Sequence, residues 1–327
     1  MCIRDSFAKD PHQRYKMFQF FRSPHGKEQG EVYISPDGIH WGEPTVTGLL
    51  GDNSTIFYNP FLERWVYSIR THSSHSSRRS GITAGIRTRS YWEHEDFLEG
   101  AKWNLEDPSM WAWSDQRDLP DPDIGNTPHL YDLNANAYES LLVGLISIYY
   151  GPPNNVAQES GIPKTNDLMV AFSRDGFHWD RACREAFIDS ARTEGSWDKA
   201  YVHAAGGTCL LVGEKMYFYY GAWSGTSPKL QANMMGDHER ANAMYAGGAT
   251  GLATLRRDGF ASMDGGNQGG YLITELVVFN GDYIFVNCDS SKGVIKVEIL
   301  DEDGTPIAPF TSANCLSVSV DSTIHMV

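Results

Sequence analysis

Short runs of β-forming residues, several of them alternating apolar and polar positions with a period of two, recur along this chain, separated by turn residues. Such runs cover 14–21, 31–35, 54–58, 64–70 and 85–90, and they resume over 138–147, 168–172, 201–204, 209–212, 216–223 and 251–255. Two of them, over 141–148 and 216–220, are continuously apolar. That is the pattern of strands covered on both faces. No helical period competes over a comparable length, although 93–103 has room for one short helix. The predicted elements are β-strands throughout.

The strands come in a repeating order. An inner strand is followed by a turn, a middle strand, a long loop, a third strand and an Asp-Gly turn. Ser35-Pro36-Asp37-Gly38-Ile39-His40-Trp41 and Ser173-Arg174-Asp175-Gly176-Phe177-His178-Trp179 are near-copies of that last turn, and Arg256-Arg257-Asp258-Gly259-Phe260 is a weaker echo. Glycine supplies positive φ, aspartate bonds the backbone just ahead, and tryptophan anchors the turn on its neighbour. The motif is a structural staple with no catalytic role. Asp10-Pro11 before Arg14-Tyr15 and Asn59-Pro60 before Arg64-Trp65 are a second shared device. In the third copy a turn is expected over 132–136.

Repeats of this kind predict the blades of a β-propeller. Four blades are legible, the first lacking its start, which leads to an expected count of five over residues 7–265. From 270 to 327 the strands are closely spaced and joined by Asn-Gly-Asp, Ser-Lys-Gly and Asp-Gly-Thr-Pro turns, which reads as a C-terminal β-sandwich, with truncation of the sandwich as an expectation. The predicted class is therefore all-β, a five-bladed propeller followed by a sandwich.

Composition narrows the partners. The chain has 327 residues, 41% of them hydrophobic and 12% aromatic, enough for a large buried core. A net charge of −14 argues against nucleic acid and against an anionic membrane surface. Five cysteines, an odd number with no metal-binding spacing, read as buried free thiols rather than a disulfide framework. No metal or cofactor motif is present, neither a phosphate-binding loop nor a dinucleotide fingerprint. No signal peptide or bilayer-length apolar run is visible, and a secreted or periplasmic location is the expectation for the intact protein.

A five-bladed propeller with S-x-D-G-x-x-W turns and a C-terminal β-sandwich resembles the glycoside hydrolases of the invertase and fructanase type (family 32). It is also similar to the arabinanase and xylosidase propellers (family 43). The W-M-N-D-P-N-G sequence, a clean R-D-P and an E-C pair are absent, so the resemblance is to a divergent relative. It implies hydrolysis of a poly- or oligosaccharide by paired carboxylates at the mouth of the propeller axis, where inner strands begin. A glycan-binding propeller without catalysis, and a lyase or phosphorylase on the same scaffold, are the alternatives.

Acids just before inner strands are then the candidates. Asp52 is expected as nucleophile or base, Asp123 as a third acid, and Glu194 as general acid with Trp197 as its apolar wall. Asp121, Arg70, His129, Glu139, Trp197, Asp198 and His203 are expected to bind substrate. Each has a plainer reading as a turn residue or a satisfied core group, and Arg70 with Glu139 reads as an ion pair between blades. The loop over 72–79, with His72, His75, Arg78 and Arg79 and with Arg87 and Arg89 nearby, is where an anionic glycan would be held, or is a solvated loop.

Overall fold

The computed structural model describes residues 2–22, 26–72, 85–153, 156–157, 162–205, 207–225 and 247–327. Four antiparallel sheets follow one another along the chain in a propeller arrangement. The first is β1 (Cys2–Arg4), β2 (Tyr15–Arg22), β3 (Glu28–Ser35) and β4 (Thr45–Leu49), paired in that order. The second is β5 (Thr55–Asn59), β6 (Arg64–His72), β7 (Arg87–His94) and β8 (Ser109–Ala112). A single helical turn, α1 (Phe97–Gly100), capped by Asp96, stands in the segment expected to be helical.

The third sheet is β9 (His129–Tyr138), β10 (Leu141–Gly151) and β11 (Thr165–Ser173). Its outer edge is completed by the bridges Phe172 to Asp180 and Leu168 to Ile188. In the fourth, β12 (Ala200–Ala204) and β13 (Leu210–Val212) take successive stretches along β14 (Lys215–Trp223), and β15 (Gly248–Arg256) also pairs with β14. The described residues thus form four blades, one fewer than expected. The turn expected over 132–136 is part of β9. Its Asp and Asn residues look like a turn, but residues 132–135 are buried on both faces and paired with β10, which holds them as strand.

Blade-to-blade packing makes the core. Phe18, Val32, Leu50, Ile56, Trp65 and Tyr67 form a cluster from the first and second blades. Phe57, Val66, Trp111, Leu130, Leu142 and Ile146 form one from the second and third. Tyr131, Tyr149, Ala200 and Tyr201, with Trp223 against them, join the third and fourth. Each apolar side chain so buried contributes about 1.5–3 kcal/mol relative to exposure.

The two full motifs have the same geometry. Asp37 Oδ1 accepts from the backbone N–H of Ile39 and His40, and its Oδ2 lies 2.7 Å from His40 Nδ1. Asp175 does the same with Phe177 and His178, again with 2.7 Å to the ring nitrogen. Both carboxyls sit below the usual range. For Asp37 the His40 hydrogen bond is the main cause; for Asp175 burial acts the other way and the bonds from His178 and Phe177 outweigh it. Trp179 lies over Gly144 of β10, where a Cβ would meet its Cζ3 at 2.6 Å. Asn59 Nδ2 and Trp111 Nε1, from the second blade, donate to the carbonyls of Asp175 and Phe177 at 2.8 and 2.6 Å. The motif rivets one blade to the next. At 256–260 the left-handed residue is Asp258 (φ 57) rather than glycine.

By contacts the chain divides into two units, residues 1–209 with 218–253 and residues 210–217 with 254–327. In the second, β16 (Phe285–Asp289) pairs with β17 (Asp321–Met326), and isolated bridges join Ile295 to Val318 and Leu300 to Pro306. Arg256 Nε donates to Asn287 Oδ1 at 2.8 Å and Nη2 to the Cys288 carbonyl at 3.1 Å. The two facing sheets of a β-sandwich are not formed among the described residues. Leu272, Leu276, Val277 and Val278, expected in strands, are exposed and unpaired with any strand. Alternation alone does not make a strand without a partner edge. Cys183, Cys209, Cys288 and Cys315 are free as expected, but Cys183 is exposed and the others are only half-buried.

Candidate active site

One end of the inner strands β5, β9 and β12 gathers a cluster of charged and aromatic side chains. Its anchor is Arg89, cross-strand partner of Arg70 in the β6–β7 pair and fully buried. Arg89 Nη1 donates to the Tyr131 carbonyl at 3.0 Å; Nη2 donates to those of Asn53 and Ser68 at 2.9 and 2.7 Å; Nε reaches Ser68 Oγ at 3.0 Å. Burial lowers this guanidinium to about 9, while Asp132 and Asp52 pull it back up. It is still cationic at neutral pH. The fork therefore ties the backbone beside Asp52 to the backbone beside Asp132.

Asp52 lies in the turn before β5, where Asn53 takes a left-handed backbone (φ 56). Its side chain is about one-third exposed, and Oδ1 lies 2.6 Å from Arg70 Nη2. The pair is close but off-angle: Asp52 Oδ1 and Arg70 Nε are buried without an aligned hydrogen bond. Gly51 makes room for the guanidinium, since a Cβ there would meet Arg70 Nε at 2.6 Å.

Asp132 is almost wholly buried, with its carboxylate 3.2 Å from His203 Nδ1 and accepting from the Ser147 backbone N–H at 3.2 Å. A carboxylate only accepts, so His203 donates to Asp132 through Nδ1–H. The register of β12 on β14 slips between Ala200 and His203, and within that slip Tyr201 is left-handed (φ 52). A bulky residue in that region is strained, and such strain concentrates at functional sites. The bulge sets the Tyr201 ring 4.5 Å from His203 and 5.6 Å from Trp223, and its hydroxyl donates to Tyr131 Oη at 2.8 Å. Burial, then the Asp52 charge, push the Tyr131 phenol up, so it stays neutral.

Arg87 adds the third guanidinium. Its Cζ lies 5.1 Å from the Tyr131 ring and 4.8 Å from that of Tyr149, and Nη1 is 2.9 Å from His129 Nδ1. A guanidinium only donates, so His129 is protonated at Nε2. Three cations, two carboxylates, two histidines and four aromatic rings thus share one mouth. Asp52, Arg87, His129, His203 and Trp223 are its partly exposed members, and they can stack on a sugar ring, bond its hydroxyls, and deliver or remove a proton.

Among solved structures, this chain is similar to an N-acetylgalactosamine deacetylase from F. plautii in complex with blood group B trisaccharide, at 13% identity over 76% of this chain and 71% of that one, with a TM-score of 0.47. A family-43 glycoside hydrolase described as thermostable is 13% identical over 64% of this chain and 62% of its own, with a TM-score of 0.42. A GH32 β-fructofuranosidase of Bombyx mori is 14% identical over 74% of this chain, which spans 43% of that one, with a TM-score of 0.41. No family model matches this chain, and no curated protein does.

Of the residues singled out from sequence, Asp52, Arg70, His129 and His203 meet at this mouth. Arg70 pairs with Asp52 rather than with Glu139. Glu139 sits in the β9–β10 turn, at the opposite end of β9, about 30 Å away at ~3.3 Å per residue. There it lines a cavity of about 650 Å³ with Asp5, Tyr58, Phe61 and Asn136. Asp121 is buried as a loop staple, bonded to Arg192 at 2.6 Å and to the N–H of Asp123 at 2.9 Å. Asp123 is an exposed residue of the same turn. Glu194 is exposed and paired with Lys199, and Asp198 accepts from Ser196. Trp197 packs on Tyr220 at 5.6 Å, not on Glu194. The loop residues His75, Arg78 and Arg79 lie outside the described residues, as does the side chain of His72.

Asp132, Tyr131, Tyr201 and Trp223 were missed as site residues. A signal existed: Asp132 interrupts Leu130-Tyr131-Asp132-Leu133 as His203 interrupts Tyr201-Val202-His203-Ala204. A charge inside an inner strand asks for a partner, and these two answer each other.

Proposed function

We propose that this protein is a glycoside hydrolase whose two carboxylates are Asp52 and Asp132. One observation carries the reading: Arg89 binds the carbonyls of Asn53 and Tyr131, and so holds in register the two backbone segments that bear these acids. Asp52, partly exposed and charged beside Arg70, is the group that attacks the anomeric carbon or activates water. Asp132 has both oxygens engaged and is too buried to touch substrate. It orients His203, which in its doubly protonated form gives the Nε2 proton to the leaving oxygen and so returns to the neutral ring. Trp223 walls the sugar, with the buried Tyr201 ring packed behind it. Asp123 and Glu194, at the surface, serve as control positions.

The test is release of reducing ends from a broad panel of oligosaccharides. Asp52→Asn and His203→Gln should each lower kcat at least about 100-fold with folding unchanged by circular dichroism. Glu194→Gln should stay within a factor of two or so. Full activity in Asp52→Asn, or loss confined to Glu194→Gln, refutes the assignment.

A second reading, elimination from a uronic acid, is favoured by the Asp132–His203 pair standing near Arg87. His203 Nε2 would remove the proton next to the carboxylate, the bond to the leaving oxygen would break, and a double bond would form. Its signature is ultraviolet absorbance of an unsaturated product with no water consumed.

A further inference from the structure

Taking the mouth as a glycan site, we infer that the sugar bound there carries an oxyanion, a carboxylate or a sulfate ester, received by Arg87. Buried and half-buried arginines elsewhere in this unit have carboxylate partners: Arg70 with Asp52, Arg181 with Asp118, Arg184 with Asp115, and Arg192 with Asp121 and Asp167. Arg89 has three carbonyls. Arg87 differs. Its contacts are one imidazole nitrogen and two ring faces, its Nε is buried without a hydrogen bond, and no carboxylate among the described residues is within ion-pair distance.

A guanidinium removed from water without an anion is under-compensated, and a bound oxyanion restores what burial took away. The neighbours point the same way. His129, whose Nδ1 lies 2.9 Å from Arg87 Nη1, holds the guanidinium in place over the two rings. Lys164 places its ammonium 5.8 Å from the ring of Tyr149, the same ring that Arg87 covers at 4.8 Å. In a chain of net charge −14, the Arg87 guanidinium, with no carboxylate of the described residues at ion-pair distance, is a local positive charge that would draw an anionic sugar inward. Neutral sugars would gain nothing from it.

Calorimetric titration of the full chain tests this with three probes: oligogalacturonides, their methyl esters, and a 6-sulfated oligosaccharide beside its unsulfated form. The free acid or the sulfated sugar should bind at least about tenfold tighter than its uncharged counterpart, the usual worth of a charge-assisted bond. The preferred probe identifies the anion. In Arg87→Gln that preference should vanish, and Arg87→Lys should keep part of it, with melting temperatures confirming that both variants fold. Equal affinity for charged and uncharged forms, a preference that survives Arg87→Gln, or no binding of any probe overturns the inference. Tight acid binding with no release of reducing ends would sink the hydrolase reading and leave this one standing. Turnover of neutral glycans without acid preference would do the opposite.

Discussion

Replacing Gly144 by alanine sets two effects of opposite sign against each other. Gly→Ala in a strand is ordinarily worth up to about 1 kcal/mol in favour of folding, because the unfolded chain loses freedom. Here the new methyl would lie 2.6 Å from Trp179 Cζ3, 3.1 Å from Cε3 and 3.2 Å from Cη2. Carbon atoms settle near ~3.5–4 Å, so the clash amounts to about 1 Å against the ring face. β10 cannot retreat, since it is hydrogen-bonded to β9 on one side and β11 on the other. The ring must tilt, which disturbs its edge contact with Phe57 at 6.3 Å and its bond to the Gly176 carbonyl at 3.2 Å. Overpacking costs about 1–3 kcal/mol, and with the strand held on both sides the upper part of that range, about 2–3 kcal/mol, applies; the net is expected to be destabilising by about 1–2 kcal/mol after an entropy gain of about 1 kcal/mol is subtracted. At about 2–4 °C per kcal/mol for a domain of this size, the melting temperature should drop by about 2–8 °C. Urea unfolding of Gly144→Ala, Trp179→Leu and the double variant measures it, and the smaller leucine should rescue the alanine with a coupling of about 1 kcal/mol. A neutral or stabilising Gly144→Ala, or strict additivity in the double variant, would refute the claim that the motif tryptophan is seated on this glycine.

Other outcomes follow from the same geometry. Arg89→Lys keeps the charge but cannot span three carbonyls, and at about 1–3 kcal/mol per carbonyl left without a donor it should lose at least about 2 kcal/mol in chemical unfolding; a loss below about 0.5 kcal/mol means Arg89 is not the tie. Asp37 and Asp175 have folded-state values below the ~3.9 of an unfolded aspartate, so the unfolded chain binds more protons as pH falls. Their contribution is present above about pH 4 and is lost as pH drops through the folded values; His40→Ala with His178→Ala should flatten the fall in melting temperature below about pH 4, and an unchanged profile would refute it. Gly51→Ala should push Arg70 off Asp52 at little cost in stability, while hydrolysis falls at least about tenfold; a 1 Å misplacement can cost far more. Unchanged kcat would show that the Arg70–Asp52 contact is dispensable.

The period-two alternation and the two S-x-D-G-x-H-W copies were enough to read an all-β chain of blades. Those are local facts: side chains alternate faces in a strand, and an Asp-Gly turn closes on its own hydrogen bonds. For the same reason the motif could be set aside as structural, and Asp52, Arg70, His129 and His203 could be picked out by where they stand relative to inner strands. Blade number was not local. Residues 272–279 have the composition of strands yet pair with none, because a strand exists only where another edge receives its hydrogen bonds. The partners within the site were not local either. Asp132 meets His203 across 71 positions of sequence, and Arg89 reaches Tyr131 across 42. Which charge answers which is decided when the blades pack side by side, since only then does burial make an unpaired charge costly and select the carboxylates, carbonyls and rings that surround it.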